Sequence, residues 1–161
     1  MILVDQTEHR VSLMPDPGMA EDRIVVRRAS PDDRAAIRAM YESFQPKAAC
    51  LGLPPREDPT PWLDRLAPYS NFLVELNGRL VAHGALCYDS ESGEVAVFVH
   101  QGFRNRRVGK LLLSALVEEG RRLGLRRVWG MTDLDNIPML RLAHSLGFIS
   151  AQDPMEFCLE L

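Results

Sequence analysis

Between Glu94 and Leu116 the apolar residues stop recurring at every second position and begin recurring at helical intervals, with a basic turn at the change. Val95, Val97 and Val99 fall on one face of the first part, Ala96 and Phe98 on the other. Both faces are apolar, the mark of a strand covered on two sides rather than an edge strand. From Val108 onward, Leu111, Leu112, Ala115 and Leu116 share a helical face, interrupted by the polar Glu119. Between strand and helix lie His100 to Arg107, carrying Arg104, Arg106 and Arg107, with Gly109 and Lys110 close behind.

A helix start leaves several backbone N–H groups without intrahelical partners, and the macrodipole adds partial positive charge there. A glycine in the first turn lets a ligand approach the backbone closely. Arginines and a lysine around that point make it a site suited to phosphate groups. A solvated basic turn before an ordinary amphipathic helix fits the same residues, and spacing alone does not choose between the two.

Composition narrows the class. The chain has 161 residues, enough for one domain with a real core. A formal net charge of −3 offers no general attraction for nucleic acid, so the basic turn is a local feature. Cys50, Cys87 and Cys158 are far apart and odd in number, which fits neither a disulfide framework nor a zinc site, and no metal is expected. The N-terminal stretch carries Asp5 and Glu8 and no long apolar run, so neither a signal peptide nor a membrane span is expected, and a cytoplasmic location is.

In chain order, residues 1–22 read as an arm and linker, with a short strand at Ile2-Leu3-Val4 and then Pro15, Pro17 and Gly18. Residues 23–161 read as a single domain. Ile24 to Arg28 is a strand. Ser30-Pro31-Asp32-Asp33 is a helix start, and Ala35, Ile37, Met40, Tyr41 and Phe44 form the buried side of that helix. Pro46, Pro54, Pro55, Pro59 and Pro61 forbid a continuous element from Gln45 to Pro61, leaving a binding loop or a plain connection. A short helix is expected at Trp62 to Leu66. Strands at Asn71–Leu76 and Arg79–Tyr88 are joined by Asn77-Gly78, a strong hairpin signal. After the long helix, stopped by Gly124, come a strand at Arg126–Thr132 and a helix at Asp135–Ser145. Strands at Phe148–Ala151 and Met155–Leu161 complete the chain. The helix joining the Glu94 and Arg126 strands makes them parallel, in a mixed α/β sheet that is otherwise mostly antiparallel, with helices on both faces.

Arg104-Asn105-Arg106-Arg107-Val108-Gly109 resembles the acyl-CoA pyrophosphate loop of the GNAT superfamily of N-acetyltransferases, Gln/Arg-x-x-Gly-x-Gly/Ala. The first residue and the last glycine match, while Arg107 replaces the middle glycine, which keeps the backbone donors and adds a cation. The stretch Asn136 to Gly147-Phe148 is similar to the family's later Asn-to-Gly-Phe segment. Within that family, Glu94-Val-Ala-Val-Phe-Val and Met139-Leu-Arg-Leu-Ala143 look most like the Pat-like protein lysine acetyltransferases.

The resemblance implies the GNAT acyl-CoA N-acyltransferase fold, in which a splayed parallel strand pair admits acetyl-CoA as co-substrate. It implies pantetheine beside the backbone of Phe98 and Val99, with a thioester oxygen accepting an N–H near Val99. It places the pyrophosphate on Arg104, Asn105, Arg106, Arg107, Val108, Gly109 and Lys110, and Asn136 and Met139 beside the pantetheine arm. Asn136 also reads as a helix-start residue.

Acetyl transfer needs a neutral amine, and an alkylammonium with a pKa of about 10.4 is mostly protonated at neutral pH. Glu94, at the start of an apolar strand, is the candidate base, although a solvated charge at a strand start fits too. Many GNAT enzymes carry a tyrosine acid where this chain has Ala143, so the general acid is unassigned. The acceptor implied is an amine, either a protein lysine side chain or a small molecule, and a non-catalytic acyl-CoA-binding domain is a rival. Neither nucleic acid nor a membrane is an expected partner, and a homodimer through the N-terminal arm is left open. His100 reads as a solvated loop residue or a proton relay, His83 as a satisfied core or edge histidine, and His144 as a surface residue.

Overall fold

A computed structural model describes residues 22–161, together with the backbone of His9 and Arg10. The rest of the expected N-terminal arm, with the strand at Ile2-Leu3-Val4, lies outside the described residues. Among the described residues, eight strands form one sheet in the order β1 (His9–Arg10), β2 (Ile24–Arg28), β3 (Ser70–Leu76), β4 (Arg79–Tyr88), β5 (Ser92–Val99), β6 (Arg127–Met131), β8 (Glu156–Glu160), β7 (Ile149–Ser150). Every neighbouring pair is antiparallel except β5 and β6. Asn77 and Gly78 turn β3 into β4 with φ of 53° and 79°, the left-handed values a two-residue hairpin requires.

The parallel pair is short. Ser92, Gly93 and Glu94 stand opposite Arg127, Val128 and Trp129, and beyond Glu94 the strands no longer pair. β4 meanwhile keeps its partner as far as Val99, so β5 is held on one side and open on the other. This is the splay that the fold reading expected.

Helices cover both faces. α3 (Val108–Arg122) and α4 (Ile137–Ser145) lie over one, where Leu112, Leu113, Leu116 and Ala143 join Phe72, Val74, Leu86, Val95 and Val128 in the larger core. α1 (Arg34–Glu42) and α2 (Thr60–Leu66) lie over the other, where Ile37, Met40, Tyr41, Phe44, Trp62 and Leu63 pack on Leu73 and Phe98. The period-two reading of β5 holds: Val95, Val97 and Val99 face the larger core and Phe98 the smaller.

Some boundaries and faces differ from expectation. Ala35 is exposed, because a 3-10 turn at Pro31–Asp33 precedes α1 and rotates its buried face to begin at Ile37. In that turn the Ser30 N–H donates to Asp33 at 2.7 Å, and the same carboxylate receives Arg27. α2 begins at Thr60, with Pro61 in its first turn, where a missing N–H costs nothing. α4 begins at Ile137, two residues later than expected, because Asn136 serves as its cap.

Glu119 is the interruption on the α3 stripe, and it is buried, with 3 % of its surface exposed. A buried charge needs partners. Arg28 reaches it from β2, Arg122 donates from the next helical turn at 2.8 and 2.9 Å, and the Ser70 hydroxyl donates at 2.8 Å. Burial alone would raise its pKa. The hydrogen bonds from Arg122, Arg28 and Ser70 outweigh that and hold it down at about 2.

Candidate active site

The turn after β5 is built by its own side chains. The Phe103 N–H donates to the His100 carbonyl at 2.9 Å, and His100 Nδ1 accepts from Gly102 at 3.4 Å. Arg104 Nε donates to the Val99 carbonyl at 3.1 Å, and its terminal nitrogen donates to the Gln45 carbonyl at 3.2 Å. Its guanidinium also lies over Phe44. The chain then passes through left-handed conformations at Asn105 and Arg107, with φ of 61° and 62°. Arg107 thus holds, as an arginine, a left-handed conformation that glycine adopts freely.

α3 starts immediately after Arg107 with no side-chain cap. Its first backbone bond runs from Leu111 N–H to the Arg107 carbonyl, which leaves the amides of Val108, Gly109 and Lys110 without helical acceptors. Gly109 is closely flanked: a Cβ there would lie 3.2 Å from Leu142 and 3.5 Å from Val99.

The splay opens a cleft of about 650 Å³, within the usual range for small-molecule and cofactor sites, about 300–1,000 Å³. One wall is β5 from Glu94 to Val99, and the far wall is Thr132 and the start of α4 with Asn136 and Met139. Arg104, Asn105, Arg107, Val108, Gly109 and Lys110 line its end. Arg106 does not line it; its guanidinium lies over the Phe103 ring, 5.8 Å from the centroid.

The Gln45–Pro54 segment spans the gap. Gln45 N–H donates to Gln101, and Arg104 holds the Gln45 carbonyl. Across the gap Leu51 N–H donates to Asp133 at 3.2 Å, and Cys50 Sγ lies 3.3 Å from Thr132 Oγ1. The proline-rich stretch is therefore a wall of the cleft, fastened at both sides.

Backbone alternation points amides into the opening. His100 N–H bonds to the Val81 carbonyl at 2.9 Å, which assigns the even-numbered residues of β5 to β4. Val97 and Val99 therefore turn their N–H groups toward the gap that β6 has left. Glu94, Ala96 and Phe98 put their side chains on the α1–α2 face. Glu94 is exposed as a residue, but enough protein lies over its carboxyl that burial raises its pKa above the ordinary value.

Asn136 takes the helix-start role within the cleft. Its Oδ1 accepts from Met139 N–H at 3.4 Å and its Nδ2 donates to Thr132 Oγ1 at 2.8 Å. Thr132 and Cys50 are cleft residues that sequence reasoning missed, since neither stands in a motif.

Three other expectations find their place. His83 is a satisfied core histidine: Tyr41 lies 2.7 Å from Nδ1 and Asn71 Oδ1 lies 2.9 Å from Nε2. His100 is half-buried between Phe44 and Phe103, its pKa lowered by burial and by Arg79 and Arg104. His144 is exposed.

Residues 35–148 match the Acetyltransferase (GNAT) family. The chain belongs to the GNAT acetyltransferase family. An L-methionine sulfoximine/L-methionine sulfone acetyltransferase of Salmonella typhimurium is 39% identical to this GNAT chain over 153 residues, covering 81% of it and 84% of the relative. Among solved structures, an acetyltransferase of the GNAT family from Streptococcus pneumoniae superposes with a TM-score of 0.70 at 19% identity, over 86% of this chain and 99% of that one. Salmonella typhimurium yncA, solved with its cofactor acetyl-CoA, gives 0.70 at 24% identity, over 86% and 94%. The GNAT domain of S. lividans PAT gives 0.72 at 18% identity, over 86% and 90%. At these identities the structures establish the shared GNAT fold.

Proposed function

We propose that this chain is an acetyl-CoA-dependent N-acetyltransferase that moves the acetyl group directly to the amine of a small molecule. The observation that carries the reading is the splay itself. It places uncommitted amides at both ends of one cleft, at Val108–Lys110 and at Val97 and Val99, with Glu94 where the strands part. Acetyl-CoA supplies an activated acetyl thioester.

Val108, Gly109 and Lys110 offer N–H groups to a diphosphate, and Arg107 and Lys110 add cations. The N–H groups of Val97 and Val99 suit an extended pantetheine arm and a carbonyl oxygen that gains negative charge as the amine attacks. Arg104 supports the turn from behind, since its side chain is committed to Val99 and Gln45. Asn136 fixes the start of α4, so that Met139 packs along the arm's path. Glu94 takes the proton of the acceptor ammonium, helped by a pKa raised toward neutrality. In the balance, the amine nitrogen exchanges a proton for the acetyl group, and CoA leaves as the thiol.

Small-molecule acetylation is supported by the Salmonella relative, whose named acceptors are L-methionine sulfoximine and L-methionine sulfone. A protein lysine is the second reading, favoured by the Pat-like segments around Glu94 and Met139. Ala143 is 1 % exposed and packed in the larger core, which leaves the tyrosine position of other GNAT enzymes filled by core. A thiol-release screen of acetyl-CoA against small amines and lysine peptides tests the reading. Release with small amines and not with peptides is expected. Binding of acetyl-CoA with no release for any amine would instead mark a non-catalytic acyl-CoA-binding domain.

A further inference from the structure

Side chains of the turn after β5 grip the segment that follows α1. Gln101 accepts from the Gln45 N–H at 2.8 Å and donates to the Ser43 carbonyl at 2.9 Å. His100 Nε2 lies 3.2 Å from the Ser43 hydroxyl. Arg104 bridges two carbonyls, that of Val99 at the end of β5 and that of Gln45. Both backbone groups of Gln45 are thus held by the turn.

Beyond Gln45 the segment is closed on itself. Ala48 N–H donates to the Pro54 carbonyl at 2.8 Å, and Leu53 N–H to the Cys50 carbonyl at 2.9 Å. Left-handed φ values of 54°, 50° and 77° at Ala48, Leu51 and Gly52 fold it back. Such a loop swings as a unit about its anchors, which are Gln45 on one side and Cys50 and Leu51 on the other. Ala49, Leu51, Leu53 and Pro54 line the same cleft as Glu94 and Phe98. With the coenzyme along the open edge of β5, the space between this loop and Glu94 is left to the acceptor.

The resemblance to the acyl-CoA loop gives Arg104 to the diphosphate, but its side chain is spent elsewhere. Its Nε and one terminal nitrogen serve the two carbonyls, and the guanidinium lies over the Phe44 ring, 5.5 Å from the centroid. A planar fork held on an aromatic face loses little freedom in making both bonds, which suits it to fix two backbone segments at one spacing. We infer that Arg104 is a positioning residue for the acceptor: by tying Gln45 to the end of β5 it sets where the acceptor wall stands, while Arg107 and Lys110 serve the diphosphate. The inference rests on the acetyltransferase reading above and deepens it.

Two variants of the full chain test it. Arg104→Met keeps an apolar stem over Phe44 and removes the donors and the charge. Gln101→Ala removes the other hold on Gln45 and leaves the charge alone. The probe acceptor is L-methionine sulfone, named for the Salmonella relative, or the amine of the screen above that releases most thiol. In both variants the acceptor KM should rise about fivefold or more with kcat changing less, the loss expected for a charged or paired hydrogen bond at the wall. The acetyl-CoA Kd, by calorimetry, should stay within about twofold and keep its salt dependence. An acceptor KM unchanged in Arg104→Met overturns the inference. So does an acetyl-CoA Kd raised about tenfold with a weaker salt dependence, which would make Arg104 a diphosphate ligand.

If no amine releases thiol, the acetyltransferase reading fails instead, and amide exchange of the free protein, read by NMR, decides the role of Arg104. Faster exchange at Gln45 in Arg104→Met, with the internally bonded Ala48 unchanged, supports an anchor that frees the loop as a unit. Unchanged exchange at Gln45 overturns it.

Discussion

Arg107 sits at φ 62°, where an L side chain costs about 1 kcal/mol and glycine is at ease. Two effects are therefore opposed at this residue: backbone strain and a cation at the turn proposed to bind the diphosphate. Arg107→Gly should raise the thermal midpoint of the free protein by a few degrees, about the effect of 1 kcal/mol. It should also weaken acetyl-CoA binding, most at low salt where the lost charge matters most. A midpoint that falls would show that the left-handed backbone stores no strain.

Glu94 carries a separate prediction. Its raised pKa means that the proton-accepting form is lost as pH falls, at a higher pH than for an ordinary glutamate near 4.3. kcat/KM should therefore show an acid limb displaced upward. Glu94→Gln should abolish that limb and lower turnover roughly a hundred- to ten-thousand-fold, with the Kd for acetyl-CoA retained. Unchanged turnover would leave Glu94 a solvated charge.

Tyr41, His83 and Asn71 tie α1 to β4 and β3 under the smaller core. Asn71 Nδ2 donates to the Leu66 and Tyr69 carbonyls, so its oxygen faces His83 Nε2, which must carry the proton. Nδ1 is then free to accept from the Tyr41 hydroxyl, and the imidazole is neutral. Burial holds the His83 pKa down to about 4, against about 6.5 in an unfolded chain. The unfolded state therefore binds the extra proton between those values. The stability due to this group is complete above about pH 6.5 and drains away as pH falls toward 4. Thermal unfolding followed from pH 7 to 4.5 should show that loss, and His83→Gln should flatten it. An equally steep slope in the variant would assign the effect to other groups.

The same elements show how far a sequence reading reaches. β5 and α3 were legible because their apolar residues change period within a few positions, and that change depends only on local geometry. The Asn77-Gly78 hairpin was legible because few residues adopt two left-handed conformations in succession. The partners of Glu119 were not, since Arg28 lies 91 residues away and Ser70 lies 49 away. A charged residue on an apolar stripe signals that partners exist without saying where they are. Asn136 was legible as either a cap or a cofactor contact, and the structure gives it the cap while keeping it in the cleft. The role of Gln45–Pro54 as a wall was hidden, because its anchors are backbone groups held by Gln101, Arg104 and Asp133.

For the molecule as a whole, two cores hold one sheet from opposite sides while β5 and β6 part beyond Glu94. The parting leaves the amides of Val97 and Val99 open along the strand, and the uncapped start of α3 leaves three more at its end. The proposed placement of acetyl-CoA, lying in the splay, engages both sets at once. A crystal structure with acetyl-CoA is the direct measurement. The diphosphate should accept from Val108, Gly109 and Lys110, with the thioester running along Val97 and Val99 toward Glu94. A diphosphate bound away from the start of α3, or a thioester outside the splay, would contradict the account.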